Sequence, residues 1–261
     1  MYNSYGELCT EVYELSKPVG FSYQDVKYYI ERLQQLGKKE LLEVACGSGR
    51  VLIPLLQKGF KVDDIDYSLA MLDSCRKACK ALDFNPVLLE RNMSSFNLNQ
   101  NYEAIIIPGG SIQLIELRED LTHALKCYYA HLKHDGIIIM DILLQTDFTS
   151  HSVKTRLWEN SKNEVITLEE KRIELDIVNQ RTVSLLKYEK WKDGVLLQTE
   201  LQRLSMSWYG IYEFQLLLES IGFVDVTISA NYDYKSIPEN GDSIITYEAR
   251  KSKKHKRKEF I

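Results

Sequence analysis

The 261-residue chain has no long apolar run: residues 105–107 and 137–140 are isoleucine-rich but end after three or four positions, against about 20 for a bilayer span. No charged-then-apolar leader opens it; Met1-Tyr2-Asn3-Ser4-Tyr5 lacks the plan of a secretory signal. Cysteine is sparse and unpatterned. The five residues Cys9, Cys46, Cys75, Cys79 and Cys127 form an odd set without a CxxC pair, which excludes a disulfide framework and fits reduced thiols in a cytoplasmic protein. Cys75 and Cys79 lie one helical turn apart, but two ligands without a third make a poor zinc site, so no metal is expected. Net positive charge is missing from the body. Residues 250–261 carry +6 of a total of −4, leaving −10 for the rest, a poor match for a phosphate backbone. Nucleic acid is therefore not expected as a partner, and a membrane is not expected either. The basic tail reads as a solvated C-terminus, with docking to RNA or anionic lipid as its alternative.

Apolar residues make up 44 % and charged residues 27 %, the balance of a globular chain long enough for one large domain with an insertion. The first 36 residues read as a helical cap or lid rich in tyrosine, broken by Pro18 and Gly20. From residue 40 to 144 apolar strands alternate with helices: strands at 41–45, 61–65, 86–89, 103–107 and 137–143, helices at 51–58, 69–82 and 120–132. This alternation predicts a doubly wound, mostly parallel α/β sheet covered on both faces. Residues 145–206 break the rhythm with four extended segments of alternating polarity, the last two joined by Lys192-Asp193-Gly194, and predict an antiparallel β insertion after the fifth strand. A helix at 212–220 and strands at 224–228 and 243–249 complete the core. The organisation expected is thus a cap over 1–36, a core over 37–144 and 207–250, an insertion over 145–206 and a basic tail over 251–261. An exposed meander edge invites a twofold contact, so a homodimer through the insertion is expected.

The informative stretch joins the first strand to the first helix of the core: Glu43-Val44-Ala45-Cys46-Gly47-Ser48-Gly49-Arg50. Small residues at 45, 47 and 49 let a ligand approach the backbone where a Cβ would shield it. A pyrophosphate loop spaces its last two glycines three apart; here the spacing is two and Arg50 takes the third position, which suits a nucleoside with a short polar tail. Asp66 ends the second strand, where a carboxylate can accept both ribose hydroxyls. It could instead cap the helix that follows, but Ser68 is an equally good cap.

These residues carry a resemblance. Glu43-x-Ala45-x-Gly47-x-Gly49, then Asp66-x-Ser68 with Met71-Leu72, then Arg91-Asn92-Met93 resemble motifs I, II and III of the class I S-adenosylmethionine-dependent methyltransferases, over about residues 40–144 and 207–250. The likeness is nearest to the bacterial small-molecule branch, whose members carry a β insertion after strand five and a stretch like Ile107-Pro108-Gly109-Gly110-Ser111-Ile112-Gln113. It implies a Rossmann-like seven-stranded sheet, S-adenosylmethionine as cofactor and S-adenosylhomocysteine as product. It also implies roles. Ala45, Gly47 and Gly49 would line the methionine half, Glu43 would orient that loop or meet its amino group, and Asp66 would hold the ribose. Tyr67 and Met71 would flank the adenine, Asn92 and Met93 would meet its amino group and ring, and Pro108, Gly109 and Gly110 would lie beneath the transferred methyl. Three departures stand out: Ala45 where glycine is frequent, a mild change; Asp64 where glycine is usual, its carboxylate expected in solvent; and Asn92 in place of aspartate.

Methyl transfer from sulfur asks the protein for alignment and exclusion of water rather than a catalytic triad. His151, just past the fifth strand, is the candidate general base, and Gln113 and Ser111 are candidates to orient the acceptor. His123, His131 and His134 are expected to be exposed. Asp141 reads either as a structural polar group or as a pocket wall. Tyr13 and Tyr23 are the candidates for a lid over a cationic cofactor, with Trp208 and Tyr209 closing the far side. No Asn-Pro-Pro-Tyr signature or Pro-Cys pair is present. The acceptor expected is a small molecule methylated on N or O. The alternatives are an RNA- or protein-directed enzyme docking through the basic tail, and a cofactor-binding protein without transferase activity.

Overall fold

A computed structural model describes residues 5–19 and 24–252. Among them, helices α1 (Glu7–Ser16) and α2 (Gln24–Gln35) precede a seven-stranded sheet. Its strands are β1 (Glu40–Val44), β2 (Lys61–Asp66), β3 (Val87–Glu90), β4 (Tyr102–Ile107) and β5 (Leu132–Leu143), then β10 (Phe223–Ala230) and β11 (Ile244–Lys251). Helices α3 (Leu52–Gln57), α4 (Leu69–Ala81), α5 (Arg118–His131) and α6 (Ile211–Ile221) connect them. Between β5 and α6 come β6 (Val153–Glu159), β7 (Val165–Asp176), β8 (Arg181–Lys192) and β9 (Val195–Ser207), which pair only with one another in a second, antiparallel sheet. The doubly wound sheet and its β insertion are both present as expected.

The strand order is β10-β11-β5-β4-β1-β2-β3. Strands β1 to β5 run parallel, and β11 is antiparallel to both β5 and β10. Order reverses between β1 and β4, and ligands of open α/β sheets bind at the carboxyl ends of the strands flanking such a switch point. One face packs β4 and β5 on α5 and α6 through Ile105, Leu125, Tyr128, Ile138 and Phe214. The other packs β1 and β2 on α2, α3 and α4 through Tyr29, Leu33, Leu41, Leu52, Val62 and Cys75. A third apolar cluster joins α1 to the insertion, with Leu8, Cys9 and Val12 against Ile166, Leu168, Leu186 and Tyr188. The N-terminal helix thus belongs with the insertion, beside the carboxyl ends of the strands.

The fifth strand begins earlier than the expected residue 137. Leu132 already pairs with Tyr102, and the ladder then slips so that Ala104 meets Ile137. Asp135, with φ 60°, sits within that irregularity and does not close the helix. No helix among the described residues is long and apolar enough to cross a membrane. Gly20, Tyr23 and the tail from residue 253 onward lie outside the described residues.

Candidate active site

The loop after β1 turns sharply over three left-handed residues, Ala45 (φ 61°), Gly47 (φ 58°) and Gly49 (φ 91°). The two glycines serve different needs. A Cβ at Gly49 would come within 2.9 Å of Cys75 Sγ, so that glycine lets the loop press on α4. A Cβ at Gly47 would meet nothing nearer than Met71 Sδ at 3.8 Å and the Tyr13 ring at 3.9 Å, so there the left-handed backbone and not crowding calls for glycine. Ala45 holds its left-handed backbone at a cost of about 1–2 kcal/mol, so this departure from glycine is less mild than expected.

Ser68 takes the capping role that sequence left open between it and Asp66. Ser68 Oγ accepts from the Met71 amide at 3.2 Å and caps α4. Asp66 accepts from the Gly47 amide at 2.9 Å through one oxygen and from the Ser68 amide at 2.8 Å through the other, tying the β2 tip to the glycine loop. Burial raises its pKa, and these backbone donors oppose the rise. Beside it, Tyr67 is exposed and Met71 is buried. Asn92 is half-buried, and its side-chain oxygen accepts from the Ser94 amide at 2.8 Å. Met93 packs on the α5 side of the core.

The β4 tip turns into a 3-10 segment, Pro108–Leu114, in which Gly109 (φ 64°) and Gly110 (φ 76°) are left-handed. Asp141 of β5, fully buried, fixes this turn: it accepts from the Gly109 amide at 2.9 Å, from Thr246 Oγ1 at 2.8 Å and from the Tyr232 hydroxyl at 3.1 Å. Burial pushes its carboxyl up to about 6 in spite of these donors. A cavity joins the two tips. Glu43, Ala45 and Cys46 line it from the β1 side, Pro108, Gly109, Gly110 and Ser111 from the β4 side, and Tyr5, Tyr13 and Lys17 from the N-terminal segment. Met206 of β9 completes the wall.

Residues 41–136 match the methyltransferase domain family. A glycine/sarcosine N-methyltransferase of Aphanothece halophytica is 24 % identical over 220 residues, which cover 81 % of this chain and 76 % of the relative. A putative methyltransferase of Bacillus subtilis is 30 % identical over 107 residues, covering 40 % of this chain and 42 % of the relative. The crystal structure of an S-adenosylmethionine-dependent methyltransferase from Clostridium acetobutylicum superposes with a TM-score of 0.75 at 18 % identity, over 93 % of this chain and 97 % of that one. Together these likenesses support a class I S-adenosylmethionine-dependent methyltransferase.

Several expectations about this methyltransferase need correction. His151 is exposed in a turn, with φ 60°, and lines none of the described cavities. Gln113 is buried and fully engaged: its amide nitrogen donates to the Leu143 and Ser207 carbonyls at 3.0 and 2.8 Å, and its oxygen accepts from the Leu143 amide at 2.7 Å. It braces β5 and β9 against the β4 tip and also lines a cavity under the insertion. Ser111, whose hydroxyl donates to the Pro108 carbonyl at 2.9 Å, does line the cavity. His131 is buried rather than exposed, accepting from the Leu98 amide at 3.0 Å through Nε2. Trp208 packs edge-on against Phe148, and Tyr209 is buried against Phe214 under Arg118; neither lines the cavity, which Met206 reaches instead. Asp64, expected in solvent, is fully buried beside Glu43.

Arg50 and Asp25 were not among the expected site residues. Arg50 Nη2 pairs with Asp25 Oδ2 at 2.6 Å, both side chains buried, and Arg50 Nε donates to the Tyr13 hydroxyl at 3.4 Å. This bond joins the glycine loop to α2 and to Tyr13, the described member of the expected lid pair. The available signal was a lone guanidinium opening the apolar helix Val51-Leu52-Ile53, where a buried cation must find an anion. A larger cavity of about 720 Å³ adjoins the first, shares Lys17, Arg50 and Gly109 with it, and extends to Leu143, Tyr232 and Ile244. Another, of about 230 Å³, lies under the insertion between Leu143, Arg172, Ser184 and Met206.

Proposed function

We propose that this enzyme transfers a methyl group from S-adenosylmethionine directly to a nitrogen or oxygen of a small molecule, an amine nitrogen being the acceptor the relatives favour. The observation that carries the reading is the meeting of the β1 loop and the β4 tip around one cavity, with Asp66 tied to the same loop. The residues fit an adenosyl amino acid. Gly47 keeps a partly exposed backbone that a ligand can approach, Asp66 brings to the same loop a carboxylate suited to paired ribose hydroxyls, and Glu43 brings a buried carboxyl oxygen with no hydrogen-bond partner to the cavity wall. Tyr67, Met71, Asn92 and Met93 would border the adenine, and Gly109 and Gly110 would lie under the reacting end. When bound, the cofactor supplies a methyl group on a positively charged sulfur.

The chain's own contribution is placement and dryness. Asp141 holds the Gly109 turn in one conformation, and Tyr13, tethered by Arg50, covers the cavity and keeps water from it. The two adjoining cavities meet near Leu143, next to the β4 tip, where an acceptor would approach. An amine nitrogen carries its own lone pair once neutral, so this reading needs no dedicated base. The relative named for glycine and sarcosine supports an amine of small size.

Calorimetric titration with S-adenosylhomocysteine, followed by a methyl-release assay over a panel of small amines and hydroxylated metabolites, tests the proposal. Binding is expected, with turnover on at least one amine. Asp66→Ala should weaken binding about 10- to 100-fold, since hydrogen bonds to a charged group contribute about 1.5–3 kcal/mol. Absence of binding would overturn the reading. Removal of residues 253–261, which leaves β11 whole, should leave turnover unchanged; a salt-dependent loss would favour a polymeric acceptor.

A further inference from the structure

Strands β1 and β2 pair in parallel with Glu43 directly opposite Asp64. Residues opposite one another on neighbouring strands lie about 5 Å apart and project from the same face, so the two carboxyl groups stand side by side. Both are buried, at 1 % and 0 % exposure, and their row of the sheet continues into Ile106 on one side and Leu88 on the other. Neither Asp64 oxygen, nor Glu43 Oε2, accepts a hydrogen bond from any donor group among the described residues. Two adjacent carboxylates deprived of water repel, whereas a carboxylic acid beside a carboxylate makes a strong hydrogen bond. The pair therefore keeps at least one proton, and burial together with the Glu43 charge holds it on Asp64, whose pKa lies well above the carboxylate range. Glu43 is pushed by burial up to about 8, while Arg50 and the Asp64 hydrogen bond pull it down. The other charged or titratable groups facing the pair are Asp25 of α2, Asp63 and Asp66 of β2, Tyr13 of α1, Cys46 of the β1 loop, Cys75 and Cys79 of α4 and Tyr102 of β4.

Only Glu43 of the two lines the cavity. Resting on the function proposed above, we infer that Asp64 is a positioning residue: its protonated carboxyl donates to Glu43 and sets the ionisation of the carboxylate that meets the cofactor's ammonium group, so that binding expels one proton from the pair. The bond broken is the Glu43 O–H, its proton passes to solvent, and the ammonium takes its place as counter-charge. Asp64 keeps its own proton throughout.

Titration of the full chain with S-adenosylhomocysteine near pH 7, in buffers of different ionisation enthalpy, reads the coupling directly. Close to one proton should be released per ligand bound, and affinity should rise as pH increases from about 6 to about 8, by up to tenfold per unit, then level off. 5′-Methylthioadenosine, which has the nucleoside but no ammonium, should bind without proton release. Asp64→Asn keeps a donor toward Glu43 and should retain the pH window. Asp64→Leu removes the donor, and should move the window upward and weaken binding at pH 7 by about tenfold or more, one pH unit of window being a factor of ten. Binding of S-adenosylhomocysteine without proton release, or an Asp64→Leu window where Asp64→Asn has it, would overturn this inference and leave the proposed function standing. Failure of both nucleosides to bind would strike the proposed function itself.

Discussion

The two walls of the cavity are built by different means. On the cofactor side, the β1 loop, the β2 tip and the β4 tip present backbone: left-handed residues at 45, 47, 109 and 110, held in place by two aspartates that accept amide hydrogens. On the covering side, side chains far apart in sequence do the assembly. Arg50 reaches Asp25, Lys190 pairs with Glu11 at 2.6 Å, the Glu200 carboxylate accepts the Leu8 amide at 2.9 Å, and Leu8 and Val12 seal against the insertion sheet. The inner face of that sheet is itself divided: Ile166, Leu168, Leu186 and Tyr188 are apolar under α1, whereas Glu170, Arg172, Thr182 and Ser184 are polar over the smaller adjoining cavity. Recognition through backbone is rigid and reusable; a cover assembled from pairwise contacts can differ from one relative to the next while the cofactor wall stays put.

Breaking the covering side should have the largest effect on stability. Arg50→Met strands the Asp25 carboxylate in a buried site and should cost about 3–5 kcal/mol in urea unfolding. The double variant Arg50→Met, Asp25→Leu should recover most of that loss, because replacing a buried pair with apolar groups is often neutral. Leu8→Ala should cost about 2–4 kcal/mol, concentrated in α1 and the insertion. Hydrogen exchange should accelerate in α1 while β1, β4 and β5 stay protected, and equal acceleration throughout would mean that the two walls fold as one unit.

The cofactor wall is probed more gently by pH. Glu43 and Asp141 are pushed up to about 8 and about 6, above the value of an unfolded chain near 4. An acid raised in this way contributes its stability fully below the unfolded value and loses it as pH rises through the folded one. Without cofactor, the melting temperature should therefore decline between about pH 4 and pH 8, and Glu43→Gln should remove the upper part of the decline. The smallest effect is expected at Ala45. Glycine there relieves about 1–2 kcal/mol of left-handed strain but gives back about 0.4–1 kcal/mol of unfolded-chain entropy, so Ala45→Gly should raise stability by up to about 1 kcal/mol.

The cofactor wall was legible because backbone geometry leaves marks in sequence. Small residues two apart after an apolar strand, an acid ending the next strand and a Pro-Gly-Gly turn after the fourth could be placed without knowing their neighbours. The covering wall left fewer marks. Asp64 was misjudged because its surroundings depend on the register that sets it opposite Glu43, and the bonding of Gln113 was not legible because a free amide and a threefold-bonded one look alike in sequence. His131 lies on the last turn of α5, and its burial follows from Phe96 and Leu98 folding back over it. Arg50 was noticed as an interruption of the glycine pattern, but its partner Asp25 sits on a helix that local pattern does not orient.

Periodicity and turn chemistry, which act over a few residues, determined by themselves the alternation of strands and helices, the antiparallel insertion and the small-residue loop. The tertiary structure alone decided which charges are buried, which polar side chains are spoken for, and that α1 closes on the insertion. Local backbone preference is written into each short segment, whereas the cost of burying a charge is set by whatever the completed fold brings against it.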